Sequence, residues 1–194
     1  MGLKQIQPLV QEACREKIER DRKRGILNRP VRTMVVGIPN VGKSTFINSF
    51  AGKACTKTGN KPGVTKGNQW IRLNKTLELL DTPGILWPRF EDQEVGLKLA
   101  FIGSINDEII DKEELAAELL KFLIKHYGRN LNERYGIETK DPYEALREVA
   151  QARSCLLKGN ELDTKKAANL LLDDFRSGKL GRITLEFPEA PGEK

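Results

Sequence analysis

The stretch Gly37-Ile38-Pro39-Asn40-Val41-Gly42-Lys43-Ser44-Thr45 has the form G-x-x-x-x-G-K-S. It follows the apolar run 33–36, which has the composition of a short strand, and it precedes the helical pattern 45–50. A strand, a glycine-rich turn and a helix in this order are the context that a phosphate-binding loop requires. The sequence therefore predicts such a loop at residues 37–44, and the alternative is a chance glycine-rich turn.

The residues of this loop have distinct predicted roles. Glycine lacks the side chain that would hold the backbone away from an anion, so loop and helix amides can converge on a phosphate. Lys43 is expected to place its charge beside the β and γ phosphates and to serve as a catalytic group, and the Ser44 hydroxyl is expected to bind magnesium. The predicted nucleotide-binding residues of the loop are Asn40, Val41, Gly42, Lys43, Ser44 and Thr45.

A second motif, Asp81-Thr82-Pro83-Gly84, closes an apolar strand 38 residues after Lys43. An acidic strand end followed by T-P-G is typical of the element of GTPases that meets magnesium and the γ-phosphate. We expect Asp81 to reach the metal directly or through water, and the Gly84 amide to contact the γ-phosphate and so respond to hydrolysis. Thr65, in the predicted loop 52–67, is the expected second hydroxyl ligand of magnesium and a nucleotide contact in the triphosphate state.

Composition excludes several classes of protein. With 194 residues, 39% hydrophobic and 31% charged, the chain has the composition of a soluble globular protein. It contains no apolar run near the roughly 18 to 20 residues of a membrane span, and its start lacks the apolar core of a signal peptide. We therefore expect a cytoplasmic protein that has no membrane partner.

The hydrophobic pattern predicts an α/β fold followed by an all-α region. Two strands at 68–73 and 76–81 are predicted to form a hairpin. An amphipathic helix at 8–24, with Pro8 in its first turn, is expected to lie on the sheet. We predict a partial phosphate-loop GTPase domain with a parallel or mixed sheet at 1–105 and a small helical domain at 106–194. Helices are predicted at 91–105, from Asp111 onward, near 129–135, at 141–157 and at 163–177, and residues 182–187 are predicted to be a short strand or an extended arm.

Charge is distributed unevenly along the chain. Residues 1–104 contain 18 Lys and Arg against 9 Asp and Glu, whereas residues 105–194 contain 15 against 18. A basic half that also binds nucleotide is compatible with an RNA partner. Cations are dense near the end of the first predicted helix, where a solvated face is the first interpretation and an RNA contact the second. These residues are Arg15, Lys17, Arg20, Arg22, Lys23 and Arg24.

One motif of GTPases is absent after Asp81. GTPases recognise guanine with Asn-Lys-x-Asp, whose carboxylate accepts hydrogen bonds from the base. The stretch Asn74-Lys75-Thr76-Leu77 contains the first two residues but lacks the aspartate, and it lies between the two predicted strands. We therefore interpret it as a turn.

Together these motifs resemble the circularly permuted ribosome-assembly GTPases of the YlqF/RbgA type. The resemblance extends from about Leu3 to Phe187. In that family the base-reading motif precedes the phosphate loop, so its absence suggests a chain cut after that element, with Met1 an introduced start. The stretches that carry the resemblance are 37–45, Lys61-Pro62-Gly63-Val64-Thr65, Asp81-Thr82-Pro83-Gly84-Ile85-Leu86-Trp87-Pro88 and Glu133-Arg134-Tyr135-Gly136.

Such a cut has physical consequences. The strand before the phosphate loop normally lies inside its sheet, and without its neighbours residues 34–36 become an exposed edge that invites pairing with another chain. We therefore expect the isolated chain to be marginally stable, to self-associate, and to bind GDP and ADP with similar, weak affinity.

The resemblance implies a GTP-binding and GTP-hydrolysing switch that assists assembly of the large ribosomal subunit, with magnesium, guanine nucleotide and rRNA as its partners. The helical domain is the presumed RNA-binding part of the family. In this chain that region is acidic, so an RNA contact there would use local patches such as Lys165-Lys166, or Arg176, Lys179 and Arg182. The alternatives are a non-catalytic RNA- or protein-binding module with a vestigial nucleotide site, and a tRNA-modification or iron-transport GTPase.

Catalysis in this chain needs a polar group other than the usual glutamine. Ile85 occupies the position at which Ras-type enzymes place that glutamine, and an aliphatic side chain can neither donate nor accept a hydrogen bond. Asn40 resembles the asparagine that holds a potassium ion in cation-activated GTPases. The alternative is that Asn40 merely tolerates a tight turn.

Overall fold

The computed structural model describes residues 2–27, 29–56, 67–87, 92–106 and 110–187. The chain divides into two compact units, Met1–Pro88 and Arg89–Lys194. This division lies earlier than the boundary at residue 105 that the sequence predicts. The physical reason is that Ala100 and Phe101, near the end of a predicted helix, are buried in the core of the second unit.

The first unit contains a three-stranded mixed sheet. Its strands are β1 (Val31–Val35), β2 (Gln69–Arg72) and β3 (Leu77–Asp81), and their order is β1-β3-β2. β1 and β3 are parallel, and β2 and β3 form an antiparallel hairpin, as predicted. β1 begins before the predicted strand and ends at Val35, so Val36 already belongs to the connection that leads into the glycine-rich loop.

Helix α3 (Lys43–Ala51) covers one face of this sheet. Ile47 of the helix, Ile71 of β2 and Leu79 of β3 are buried together, with Phe46 and Phe50 packed around them. Alternate residues of a strand point to the same face, which places Leu77, Leu79 and Asp81 on the buried side of β3. α3 therefore supports the strand that ends at Asp81.

The predicted helix 8–24 is two helices, α1 (Leu3–Ala13) and α2 (Arg15–Lys23), separated at Cys14. Pro8 lies inside α1 rather than in its first turn, because the helix begins five residues earlier. α1 packs against α3, but neither α1 nor α2 contains a buried residue. Of the predicted apolar stripe, Val10, Cys14 and Ile18 are half-buried, whereas Leu9 and Ala13 are exposed, so the stripe is only partly covered.

β1 lies at an edge of the sheet. Among the described residues it pairs only with β3, and Met34 is 60% exposed. This agrees with the prediction that the segment 34–36 borders an open edge.

The second unit is helical and contains α4 (Gln93–Phe101), α5 (Lys112–Tyr135), α6 (Pro142–Ala152) and α7 (Thr164–Arg176). The predicted separate helix 129–135 is the end of α5, which has non-helical dihedral angles at Tyr127. Residues 182–187 form no strand, and Thr184 exchanges two hydrogen bonds with the hydroxyl of Tyr127 in α5, at 3.2 and 2.9 Å. Each helix begins after an aspartate whose side chain accepts a first-turn amide: Asp92, Asp111, Asp141 and Asp163.

The stretch Glu133-Arg134-Tyr135-Gly136 has a structural explanation in this unit. Arg134 donates two hydrogen bonds to Asp174 of α7, at 3.0 and 2.7 Å, and the Tyr135 hydroxyl donates a third at 2.9 Å. Lys179 pairs with the other oxygen of the Asp174 carboxylate at 3.0 Å. Gly136 ends α5 in the left-handed conformation, which glycine adopts without steric cost. The stretch therefore joins α5 to α7.

None of the helices in the described ranges combines the length and hydrophobicity needed to cross a bilayer.

Candidate functional site

The two sequence motifs meet because β1 and β3 are parallel neighbours. Val35 pairs with Asp81 in the register of the two strands, so both chains leave the sheet at the same edge. The Thr82 hydroxyl donates a hydrogen bond to the Val35 carbonyl at 2.8 Å and joins the two strand ends. Crevices at the carboxyl ends of strands are where α/β sheets bind ligands.

The glycine-rich loop delivers the chain into the N-terminus of α3. Gly42 has φ 90°, a left-handed conformation that disfavours other residues, and α3 begins at the next residue. The N-cap residue of α3, Gly42, has no side chain that could cap the helix. Uncapped amides at a helix N-terminus, together with the helix dipole, attract an anion.

Lys43 is held against the loop that precedes it. Its ammonium group donates hydrogen bonds to the carbonyls of Gly37, at 3.1 Å, and Ile38, at 2.8 Å, and the residue is only 9% exposed. Burial lowers the pKa of Lys43, while the negative charge of Asp81 acts in the opposite direction. A cation at this position lies where the loop would hold a phosphate.

Ser44 and Asp81 form the polar end of the site. The Ser44 hydroxyl donates to one carboxylate oxygen of Asp81 at 3.2 Å, and Asp81 is fully buried. Among the described residues, the second oxygen, Oδ1, has no hydrogen-bond partner. A buried, unpaired carboxylate oxygen is costly unless a cation or water satisfies it.

The residues present therefore fit a magnesium ion, which prefers hydroxyl, carboxylate and phosphate oxygens. Ser44 and Asp81 are the described residues that would hold it. Once bound, the ion would offset negative charge on the β and γ phosphates. Thr65, the third predicted ligand and a predicted nucleotide contact, lies outside the described residues.

Gly84 lies directly against the phosphate loop. A Cβ atom built on Gly84 would stand 2.4 Å from Cα and 2.5 Å from N of Pro39, both backbone atoms. Real Cβ atoms do not approach backbone this closely, so only glycine fits at position 84 in this arrangement. The loop after β3 and the loop after β1 are thus in backbone contact.

Asn48 is a residue of this site that the sequence analysis did not identify. Its side-chain oxygen accepts the amides of Cys55, at 2.8 Å, and Thr56, at 2.9 Å, and its NH₂ group donates to the Thr56 carbonyl at 2.9 Å. The Thr56 hydroxyl in turn donates to the Ser44 carbonyl at 3.2 Å. The available signal was spacing, because Asn48 lies one helical turn after Ser44 on the same face.

The other predicted site residues lie in or beside the loop. Asn40 has φ 59°, a conformation that asparagine tolerates better than most residues. Val41 is about half exposed, and Thr45 is exposed in the first turn of α3. Ile85 is 75% exposed, so no packing requirement explains an aliphatic side chain there.

Comparison with known proteins agrees with this geometry. The sequence profile of the family described as 50S ribosome-binding GTPase matches residues 32–157, which include both motifs and most of the helical unit. The chain belongs to the 50S ribosome-binding GTPase family.

Individual members of the family resemble the chain along most of its length. Ribosome biogenesis GTPase A of Bacillus cereus is 46% identical over 195 residues, which cover 100% of this chain and 66% of that protein. Its counterpart in Priestia megaterium is 45% identical and covers 96% of this chain and 66% of that protein. The GDP-bound structure of TM YlqF superposes with a TM-score of 0.56 at 30% identity, over 83% of this chain and 62% of that one. The chain thus spans about two thirds of the length of the curated relatives it matches.

Proposed function

We propose that this chain is the phosphate-binding part of a GTPase that binds GTP with magnesium, hydrolyses it, and acts as a switch in assembly of the large ribosomal subunit. The observation that carries the proposal is the convergence of Lys43, Ser44 and Asp81 at one sheet edge. An ammonium group, a hydroxyl and a buried carboxylate with an unpaired oxygen are what a metal-bound triphosphate requires.

In the proposed reaction, a water oxygen bonds to the γ-phosphorus as the bond between that phosphorus and the β–γ bridging oxygen breaks. The products are GDP, inorganic phosphate and a proton. Amides of the loop from Asn40 to Thr45 bind the phosphates, and Lys43 stabilises the charge that accumulates on the leaving oxygen. Gly84, which touches the loop backbone, would contact the γ-phosphate and move when that group leaves.

Ile85 cannot orient the attacking water by hydrogen bonding, and we propose that Asn40 holds a potassium ion that contributes to catalysis. The ion would stabilise the transition state as a fixed positive charge. Hydrolysis rates in KCl and in NaCl test this idea, because potassium activation requires a faster rate in KCl. Asn40→Gly is the informative variant, since glycine keeps the positive φ and removes the carboxamide. Equal rates of the unsubstituted protein in the two salts would remove the role of potassium.

The proposed partners are guanine nucleotide and the large ribosomal subunit, contacted through rRNA in the cytoplasm. Support comes from the family description and from relatives named for ribosome biogenesis. We further propose that the chain studied alone associates through the β1 edge, where Met34 is exposed and the strand has a free side among the described residues. Size-exclusion chromatography over a range of concentrations tests this association.

Titration calorimetry of Lys43→Ala with GDP and with a non-hydrolysable GTP analogue tests nucleotide binding. We expect binding to be lost, because Lys43 is the cation closest to the phosphate position. Lys53→Ala is the matched control, since Lys53 is exposed just beyond α3. Unchanged affinity in the Lys43 variant would contradict the site.

A non-catalytic binding module is the second candidate, and the exposed aliphatic Ile85 favours it because its side chain cannot orient the attacking water. Phosphate release separates the two candidates. Turnover of GTP that Lys43→Ala abolishes supports the GTPase. Ribosome binding without turnover, and unaffected by Lys43→Ala, supports the binding module.

A further inference from the structure

The two units of the chain differ strongly in charge. Met1–Pro88 contains 16 Lys and Arg against 6 Asp and Glu, a formal net charge of +10. Arg89–Lys194 contains 17 against 21, a net charge of −4. A polyanion is therefore attracted to the unit that carries the phosphate loop and is weakly repelled by the helical unit.

Two of the helical-unit cations that the sequence marked for RNA, Arg176 and Lys179, are engaged within the protein. Arg176 donates to the carbonyls of Ala100 and Phe101 at 2.8 and 2.9 Å, where it caps the end of α4. Lys179 is paired with the buried carboxylate of Asp174. If Arg176 bound RNA instead, the carbonyls at the end of α4 would lose their hydrogen bonds. If Lys179 bound RNA instead, the buried carboxylate of Asp174 would lose one of its partners.

α2 differs in that several of its cations are exposed and unpaired. Lys17 and Arg20 of α2 and Arg24 at its C-cap follow one another at spacings of three and four residues, which places them along one flank of the helix. No carboxylate among the described residues pairs with any of these three side chains. Elsewhere in this segment Arg15 pairs with Glu12 at 3.2 Å and Arg29 approaches Asp21 at 4.0 Å. We call Lys17, Arg20 and Arg24 the α2 stripe.

The side of α2 that faces the protein lies about a quarter-turn from the stripe, and the side opposite the protein carries Glu16, Glu19 and Lys23. Ile18, the one apolar residue within α2, is half-buried, as are the flanking Cys14 and Asp21. The stripe itself therefore offers positive charge without the apolar anchor on which protein interfaces are centred. Unpaired Lys and Arg are the residues that contact phosphates of nucleic acids.

The helix dipole accounts for only part of this arrangement. Cations in the last turn of a helix are stabilised by its partial negative charge, which explains Arg20 and Arg24. Lys17 lies in the first turn, where a cation is unfavourable with respect to the dipole. Contact with a binding partner, rather than stabilisation of the helix, explains Lys17. The same contact would include Arg20 and Arg24, the other two residues of the stripe.

We propose that the α2 stripe is the surface on which this protein binds RNA, through contacts of Lys17, Arg20 and Arg24 with backbone phosphates. The inference relies on the proposed ribosomal role only for the choice of RNA among polyanions. It assigns the electrostatic contact to the nucleotide-binding unit instead of the helical one.

Binding of purified large-subunit rRNA by filter retention, over about 50 to 200 mM KCl, tests the stripe. In the triple variant Lys17→Gln, Arg20→Gln, Arg24→Gln we expect the slope of log K against log salt to fall by about two to three and the affinity to fall about tenfold or more. Lys158→Gln, Lys165→Gln, Lys166→Gln is the control, because it removes the same charge from exposed positions of the helical unit. The control slope and affinity should not change.

The single variant Lys17→Gln controls for loss of folding. Lys17 makes no stabilising interaction with the negative end of the helix dipole, so its replacement should not destabilise the helix. We expect its slope to fall by about one with an unchanged melting temperature. Equal weakening in the two triple variants, or an unchanged slope in the α2 triple variant, would overturn the proposal. If the α2 triple variant binds rRNA normally but no longer sediments with large subunits, the stripe contacts ribosomal protein and the RNA assignment is wrong. If the unsubstituted chain binds GDP but does not bind rRNA, the nucleotide site is supported and the RNA-binding role of the α2 stripe is wrong.

Discussion

The hydroxyl of Ser44 donates a hydrogen bond to the carboxylate of Asp81 across 3.2 Å, although 37 positions separate the two residues in the chain. One follows the strand β1 through the glycine-rich loop, and the other ends the strand β3. Because these strands are parallel neighbours, both groups arrive at the same edge of the sheet. This contact turns two short motifs into one candidate metal site.

Asp81→Asn and Ser44→Ala should each weaken the magnesium dependence of GTP binding about tenfold or more, because each removes an oxygen ligand of the ion. The double variant should lose little more than either single variant, since the two residues act on one ion. Calorimetric titration of a GTP analogue at several magnesium concentrations measures this effect. Ser49→Ala, on the exposed side of α3, and Glu78→Gln, on β3, are the controls. Additive losses would show that the two residues serve different ligands.

Gly84→Ala should destabilise the first unit by about 1 to 3 kcal/mol, the usual cost of overpacking. Its Cβ would stand 2.4 Å from the backbone of Pro39, so one of the two loops has to move. Urea unfolding and GDP titration measure the change, and we expect nucleotide affinity to fall with stability. Gly67→Ala is the matched control, because a Cβ there meets nothing within 4 Å. If Gly84→Ala has the same free energy of unfolding as the unsubstituted protein, the two loops can move apart at little energetic cost.

Asn48→Ala should cost about 1 to 3 kcal/mol, because the amides of Cys55 and Thr56 lose their acceptor. Asn48→Asp keeps the acceptor for both amides but sets a carboxylate oxygen against the Thr56 carbonyl, so it should recover only part of the loss. Chemical unfolding followed by the fluorescence of Trp70, which lies on β2 of the same unit, measures both. Ser49→Ala again serves as the control. Equal losses in Ala and Asp variants would argue against the acceptor role.

Asp174→Asn should destabilise the helical unit by about 3 kcal/mol at neutral pH, since it leaves Arg134 without its buried partner. Burial alone raises the pKa of Asp174, but hydrogen bonds from Arg134, Lys179 and Tyr135 outweigh it and hold the pKa below its usual value. A carboxylate with a lowered pKa contributes stability above its unfolded-state pKa, and that stability disappears as the pH falls through the folded-state pKa. The unsubstituted protein should therefore lose stability below about pH 4, and the variant should lose less over the same range.

Thermal unfolding at several pH values, followed by circular dichroism, measures this difference. Asp173→Asn is the matched control, because Asp173 is the exposed neighbour of Asp174 on α7. Identical pH profiles for the Asp174 variant and the unsubstituted protein would show that Asp174 does not carry the linkage.

Local signals in the sequence were sufficient to predict the loop, the hairpin and most helices. The glycines of the loop, the alternation of apolar residues in 76–81 and the aspartates that begin α4 to α7 each act within a few residues of where they occur. The residues Lys43, Ser44 and Asp81 could be assigned for the same reason, because their roles follow from motifs of fixed spacing.

Only the tertiary structure decided features that depend on distant contacts. The proximity of Ser44 to Asp81 needs the parallel pairing of β1 and β3, and the assignment of Ala100 to the helical unit needs the packing of α4 on α5 and α7. Asn48 and Asp174 look ordinary in sequence, and their importance appears only when partners from elsewhere in the chain converge on them. Polar groups acquire such roles by being desolvated together, and no local pattern records which residues will be buried with them.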